Sequence, residues 1–376
     1  MNELFFYNCI KIDNDIWFSA MDYNGLYRYN LERETTIWEA TFPGENMLGR
    51  NLYYQVRRYH HFLVFVPSNA ATVSIYDTEE HSFRQVKIPS LKKKSVSISD
   101  FAVPDFAEGV IYQDILYIIG YAYPAIIKIN LKTEEIKLIQ ILHEKKDRGN
   151  LFFGVQIVMD NNLLYIPCYY RNSVYIFDMN CDKGVFWTVG KESNHYYRIV
   201  QNGKSLYMLT NNCKYIVCWD RSDDSSYEIE LDLKENMDAH IIPRGNYIWV
   251  FPNVAEEIYK IDKINSEIKK ISLDKRLNIE YVANYQDGIV FRDFSTYDWF
   301  CIDDEGIVLK LNIHIKEPRK KKEVWNCFNE ANMSIMEKRN MPLRYLVYRL
   351  QDEKGKDKRE DADNYLVGRN IWEKDK

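Results

Sequence analysis

The sequence predicts an all-β protein: a seven-bladed β-propeller of four-stranded antiparallel blades over residues 1–316, followed by a small C-terminal helical extension and flexible tail over residues 317–376. Two observations predict it. One short motif recurs seven times at intervals that suit propeller blades, and the copies divide into the same four segments. One such sheet cannot bury both faces alone, whereas seven set about an axis cover one another.

The motif is an apolar or aromatic residue followed by Asp or Asn at the end of a strand. It stands at Tyr29-Asn30, Tyr76-Asp77, Ile129-Asn130, Phe177-Asp178, Trp219-Asp220, Ile261-Asp262 and Ile302-Asp303. The polar members are spaced 47, 53, 48, 42, 42 and 41 residues apart, close to the roughly 40–50 residues of a blade. The second copy reads as strands YYQVRRY, FLVFVP, TVSIYDT and SFRQVKI, and the fourth as FFGVQIV, LLYIP, SVYIFDM and GVFWTV. Polar turns such as Asp13-Asn14-Asp15, Asp160-Asn161-Asn162 and Arg244-Gly245-Asn246 join the first strand to the second. Asn, Asp and Gly supply the positive φ that such turns require. Pro67, Pro167 and Pro252 follow second strands, where a missing N–H costs the ladder nothing. Because every copy reads as complete, the ring is expected to close through whole blades; a blade shared between the two termini is the alternative.

From Glu317 the period-two alternation stops. Residues 323–338 read as an amphipathic helix with Val324, Trp325, Phe328, Ile335 and Met336 on one face. Pro342 opens a second, striped by Leu343, Leu346, Val347 and Leu350. Packing back onto the propeller is the expectation, with a protein partner at these helices as the other reading. Residues 351–364 are almost all polar and read as a tether before a short apolar tail from Tyr365 to Trp372.

Composition supports the class and narrows the partners. The chain carries 29 Tyr and 18 Phe, residues that favour half-buried pleated surfaces. Net charge is −5 and the basic runs are short, so no nucleic-acid partner is expected. No apolar run reaches the roughly 20 residues that span a bilayer, and the N-terminus lacks the pattern of a secretory signal. Seven scattered cysteines fit reduced thiols and a cytoplasmic setting. No nucleophile elbow, phosphate loop or dinucleotide fingerprint occurs, so no cofactor and no catalytic residue is expected.

Function is expected where two loop sets meet at one end of the axis, because loops on a rigid scaffold carry variable side chains. Loops joining second to third strands supply Tyr23, Asn24, Asn69, Tyr121, Tyr123, Tyr170, Arg171, Asn211, Asn253 and Asp293; loops between blades supply Arg50, Arg148, His195 and His240. Tyrosine gives a stacking face with a hydroxyl, and asparagine both donates and accepts. Such a mouth suits a peptide, glycan or protein ligand. A recurrent asparagine before the first strand, at Asn51, Asn150, Asn194 and Asn278, reads as a turn residue.

The first copy, Asn14-Asp15-Ile16-Trp17-Phe18-Ser19 followed by Asn24-Gly25-Leu26-Tyr27-Arg28-Tyr29-Asn30, resembles the repeat of two-component-regulator propellers and of streptogramin-lyase-like propellers. The chain also has kelch-like and WD40-like spacing, but it lacks the double glycine of the former and the paired Gly-His and Trp-Asp of the latter. The lyase resemblance implies a metal-assisted elimination by histidines and a glutamate on the loop face. Only His195 and His240 are placed for that role, with no His-x-His pair.

Overall fold

Each four-strand copy is a meander whose third and fourth strands are joined by the same side-chain device. The computed structural model describes residues 3–47, 49–89, 106–121, 123, 125–141, 153–233, 238–285 and 287–319. In all seven copies the motif Asp or Asn accepts backbone N–H groups of the following turn at 2.7–3.0 Å: Asn30 from Arg33, Asp77 from Glu79 and Glu80, Asn130 from Lys132 and Thr133, Asp178 from Asn180, Asp220 from Ser222, Asp262 from Ile264, and Asp303 from Gly306 and Ile307. Three or four residues on, a left-handed residue completes the reversal, at Glu34, His81, Glu134, Asp182, Asp224, Ser266 and Gly306. The recurrence visible in the sequence is therefore a turn requirement: a short acceptor that satisfies amides the ladder leaves free.

The strands fall in order. The first sheet holds β1 (Cys9–Ile12), β2 (Asp15–Ser19), β3 (Leu26–Asn30) and β4 (Thr35–Ala40). The second holds β5 (Tyr53–Tyr59), β6 (Phe62–Pro67), β7 (Thr72–Asp77) and β8 (Ser82–Lys87), and the third β9 (Phe106–Tyr112), β10 (Ile115–Gly120), β11 (Ala125–Asn130) and β12 (Ile136–Gln140). The fourth holds β13 (Val158–Asp160), β14 (Leu163–Pro167), β15 (Ser173–Asp178) and β16 (Lys183–Thr188), and the fifth β17 (Tyr196–Asn202), β18 (Ser205–Thr210), β19 (Tyr215–Asp220) and β20 (Ser225–Glu230). The sixth is a seven-stranded run: β21 (Ala239–Arg244), β22 (Tyr247–Pro252), β23 (Val254–Asp262), β24 (Ile268–Tyr285), β25 (Gly288–Asp293), β26 (Trp299–Ile302) and β27 (Val308–Leu311). All pairings are between chain neighbours and antiparallel. No helix occurs among the described residues. The two helices expected from residues 323 and 342 lie outside them.

Two elements differ from the sequence reading. Four strands per copy predicts a break between the sixth and seventh copies, but β24 runs through it. Its first half pairs with β23 and its second with β25. The stretch Leu273–Arg276 carries no Gly, Pro or Asn to turn the chain. The first strand expected over FFGVQIV is only three residues long, preceded by a lone bridge from Phe153 to Cys168. There the Val155 N–H bonds the Tyr197 carbonyl of the next sheet at 3.0 Å. Gly154 makes room for that approach, since a Cβ on it would stand 2.0 Å from the Tyr197 oxygen.

Second strands are buried on both faces, which explains their nearly continuous apolar runs. On β6, Leu63 and Phe65 pack towards the first sheet, while Val64 and Val66 pack towards the third. On β10, Leu116 and Ile118 face the second sheet, Tyr117 and Ile119 the fourth. β14, β18 and β22 repeat the pattern. Fourth strands such as β16 and β20 are largely exposed. The described residues form apolar clusters between successive four-strand sets, and one further cluster joins the first set to the last. In it Phe6, Phe18 and Tyr27 meet Trp299, Val290 and Ile315. The Leu4 N–H bonds the Ile315 carbonyl at 2.8 Å, and the Arg292 guanidinium reaches the Leu4 carbonyl at 3.0 Å.

The chain stays on the first sheet beyond residue 316. The buried Tyr23 and Tyr27 hydroxyls both donate to the Glu317 carboxylate, and Arg319 pairs with Glu317 at 2.9 Å and covers the Trp38 ring at 4.6 Å. If the first and last sheets are sealed to each other, Trp299→Ala should cost about 3–5 kcal/mol, as for an aromatic removed from any core. Denaturant unfolding checks this; a loss below about 0.5 kcal/mol, typical of surface positions, would mean the seam is open.

Candidate functional site

The innermost strands carry a recurring irregularity that re-aims their side chains. On β5 the pairing with β6 skips Tyr54; on β9 it skips Ala107; on β17 it skips Tyr197; and on β24 it skips Glu280. Each is a β-bulge at or near the start of a first strand, a device that turns a residue out of the alternating pattern. First strands of successive sheets approach one another, as β5 does β9 and β17 does β21.

Electrostatic reach across the molecule shows the convergence. Tyr54 in the second sheet feels Arg198 and Asp238 from the fifth and sixth, Glu108 from the third and Glu280 on β24. Tyr7 feels Glu280, Tyr54 and Arg50. Groups from these sheets therefore lie within electrostatic reach of one another. The aromatic part comprises Tyr7 against Tyr54 at 5.4 Å, and Tyr169 edge-on to Tyr121, Tyr170 and Tyr197 at 6.2, 4.9 and 5.7 Å. The polar part is a buried Arg198 fork on Asp238, at 3.1 and 3.4 Å, with the guanidinium 5.0 Å from the Tyr197 ring centre. Asp238 also takes the Ala239 N–H at 2.8 Å and the Asn253 side-chain amide at 3.4 Å.

Protonation follows from this crowding. Burial pushes the hydroxyls of Tyr54, Tyr121 and Tyr197 up, and that of Tyr7 to about 12, so all four remain neutral donors. Burial first, then Arg198, holds His240 well below its ordinary value; burial alone lowers His195. Glu280 is raised by burial and by Asp238, with Arg198 opposing. Burial works against the charge of Arg198, but Asp238 and the neighbouring tyrosines outweigh it and hold the guanidinium charged.

The structure brings the two expected loop sets together. The Asn211 N–H bonds the His195 carbonyl at 2.8 Å and its side chain the Tyr169 carbonyl at 3.3 Å; the Asn253 N–H bonds the Asp238 carbonyl at 2.8 Å; Asn69 bonds the Arg50 carbonyl at 3.2 Å. Tyr121, Tyr170, His240 and Asn253 belong to the axial group. Arg50 is exposed, 3.7 Å from Asp22. Other candidates serve the framework. Tyr23 is in the core on Glu317. Asn24 ties Phe42 through both N–H and C=O at 2.7 and 2.8 Å. Tyr123 donates to the Pro89 carbonyl at 2.8 Å, and Arg171 covers Phe186 at 5.0 Å. Asp293 accepts from Asn278, Ser295 and Thr296. Arg148 and Asn150 lie outside the described residues. Asn51 and Asn194 make backbone bonds within loops, and the Asn194 side chain also reaches Glu228 on β20 at 2.8 Å; Asn278 instead lies on β24, paired with Val254, with its side-chain amide on Ser295.

Sequence reasoning passed over Tyr7, Tyr54, Tyr197, Arg198 and Glu280. A signal existed for two of them: the doublets Tyr53-Tyr54 and Tyr196-Tyr197 break strict alternation where the bulges fall. Among the described residues, no three His, Cys, Asp or Glu side chains gather as a metal site would need.

No family model and no curated protein sequence matches the chain. Solved structures do. Virginiamycin B lyase from Staphylococcus aureus superposes with a TM-score of 0.57 at 14% identity, over 76% of this chain and 91% of that one. The extracellular domain of BT4673 from B. thetaiotaomicron gives 0.55 at 15%, over 85% and 42%. Kluyveromyces lactis Hsv2 gives 0.53 at 14%, over 83% and 98%. At such identities the likeness concerns the fold, and with the strand order and core it establishes that this chain is a β-propeller of four-stranded antiparallel sheets.

Proposed function

We propose that the chain is a non-catalytic binding propeller of seven blades whose axial mouth takes a peptide or glycan-like ligand. Seven blades follow if β24 is both the last strand of the sixth and the first of the seventh. The clusters then number one per neighbouring pair, including the pair that closes the ring. The observation that carries the binding reading is the group of six tyrosines around the Arg198–Asp238 pair. Neutral phenols offer stacking faces and hydrogen bonds together, and a buried, forked ion pair fixes the floor on which they stand.

The other reading is a metal-dependent lyase using His195 and His240, for which the likeness to virginiamycin B lyase is the support. The ligand set opposes it: among the described residues no three His, Cys, Asp or Glu side chains gather around the two histidines. Ligand binding at the mouth should accordingly be unchanged by a chelator, measured by calorimetry before and after EDTA treatment.

Screening the full chain against arrays of peptides and oligosaccharides tests the main reading. Captured ligands should bind at least tenfold more weakly to the Tyr121→Ala/Tyr170→Ala double variant, about 1.4 kcal/mol. Unchanged affinity would place the site elsewhere. A pH effect follows from His240. Its folded pKa lies below its ordinary 6.5, so the unfolded chain binds the proton first. The contribution of His240 is intact above 6.5 and is lost as the pH falls below it. His240→Gln should narrow the gap in melting temperature between pH 7.5 and pH 5 relative to the parent protein; an unaltered gap would mean the imidazole protonates freely.

A further inference from the structure

We propose that the axial mouth selects a cationic group, an ammonium such as a lysine side chain or an amine, with Glu280 as its counter-ion and the surrounding tyrosines as its walls. The inference rests on the mouth being the binding site and adds the chemical class of what enters.

Three observations carry it. First, Glu280 has neither a hydrogen bond nor an ion pair among the described residues, although it stands half-buried on a bulge of the innermost strand. Asp238, by contrast, is fully engaged by Arg198, Ala239 and Asn253. Glu108, the other inner-strand carboxylate, is closed off by Arg57 at 2.6 Å and by the Ile157 N–H at 2.7 Å. Of the three, Glu280 alone is left to meet a ligand. Second, the centre holds two carboxyl groups, Asp238 and Glu280, against one guanidinium, so an added positive charge completes the balance. Third, phenol faces attract cations, and the site already shows this in the guanidinium over Tyr197. The Asn253 Oδ1 atom, buried and without a hydrogen-bond partner, is an acceptor beside Asp238 for an ammonium proton.

An anion meets the opposite terms. Arg198 is already neutralised, and a second negative charge would face Asp238 and Glu280 together. The raised pKa of Glu280, caused by burial and Asp238, gives an independent readout. A cation bound there stabilises the carboxylate, so binding releases a proton wherever the free carboxyl, raised above its ordinary range, is still partly protonated. The other groups that act on this titration are Asp238, Arg198, Tyr7 and Tyr54.

The test titrates the full chain with an N-acetylated pentalysine amide and with the same peptide acetylated on every side chain, which replaces each ammonium by a neutral amide. Pentalysine should bind at least tenfold more tightly. Glu280→Gln should remove most of that preference and the proton release seen by calorimetry in buffers of different ionisation enthalpy. Glu257→Gln, at a half-buried acid of β23 that pairs with Lys270 at 3.6 Å, should change neither. Equal affinity for the two peptides, or a preference untouched by Glu280→Gln, overturns the proposal. If array ligands are lost in the Tyr121→Ala/Tyr170→Ala variant but neutral or acidic ones prevail and ignore Glu280→Gln, the mouth stands and the cation fails. If they ignore the tyrosine variant, the mouth itself is wrong.

Discussion

The structure depends on one constraint: every second strand is apolar on both faces. A strand such as Phe62–Pro67 or Tyr247–Pro252 exposes a full row of large side chains whichever way its sheet is turned. Each buried side chain of this size stabilises by about 1.5–3 kcal/mol, so a sheet with one uncovered face forfeits several such terms. No sheet can therefore stand at the end of a row. The row must bend until its ends meet, and the Phe6, Phe18 and Trp299 cluster is where they do.

Closure creates the site. Once second strands are enclosed, first strands crowd the axis and fourth strands face water. At the axis there is no neighbouring sheet to pack against, so a bulge there adds a side chain to the opening without opening a void in the core. Three of the four residues that the bulges set apart, Tyr54, Tyr197 and Glu280, are polar at one end or throughout, while Tyr53, Tyr196 and Ile279 beside them are buried. Core residues and residues set apart by bulges thus alternate within a few positions of chain.

The framework was legible for the same reason it recurs. The Asp or Asn that ends each third strand is a local requirement, satisfied by amides two to four residues away, so it leaves a mark in the sequence. Two-sided burial also writes itself locally, as runs like ILYIIG and SLYMLT. The axial group writes little beyond the doublets Tyr53-Tyr54 and Tyr196-Tyr197. Arg198 and Tyr54 influence each other across the ring from positions far apart in the chain, and nothing near either residue announces the other. Loop residues chosen by type divided accordingly. Tyr121 and Tyr170 reach the axis, whereas Tyr23 and Asn24 hold the first sheet together, because a tyrosine hydroxyl or an asparagine amide serves a core as readily as a ligand. The pairing of Glu317 with two buried tyrosines is again a distant contact.

Backbone hydrogen exchange tests the closed ring most directly. In a ring every second strand is flanked on both sides, so amides of β2 and β25, beside the seam, should exchange as slowly as those of β10, β14 and β18. Markedly faster exchange in β2 and β25 would show two open ends, and the convergence of inner strands on a common axis would go with it.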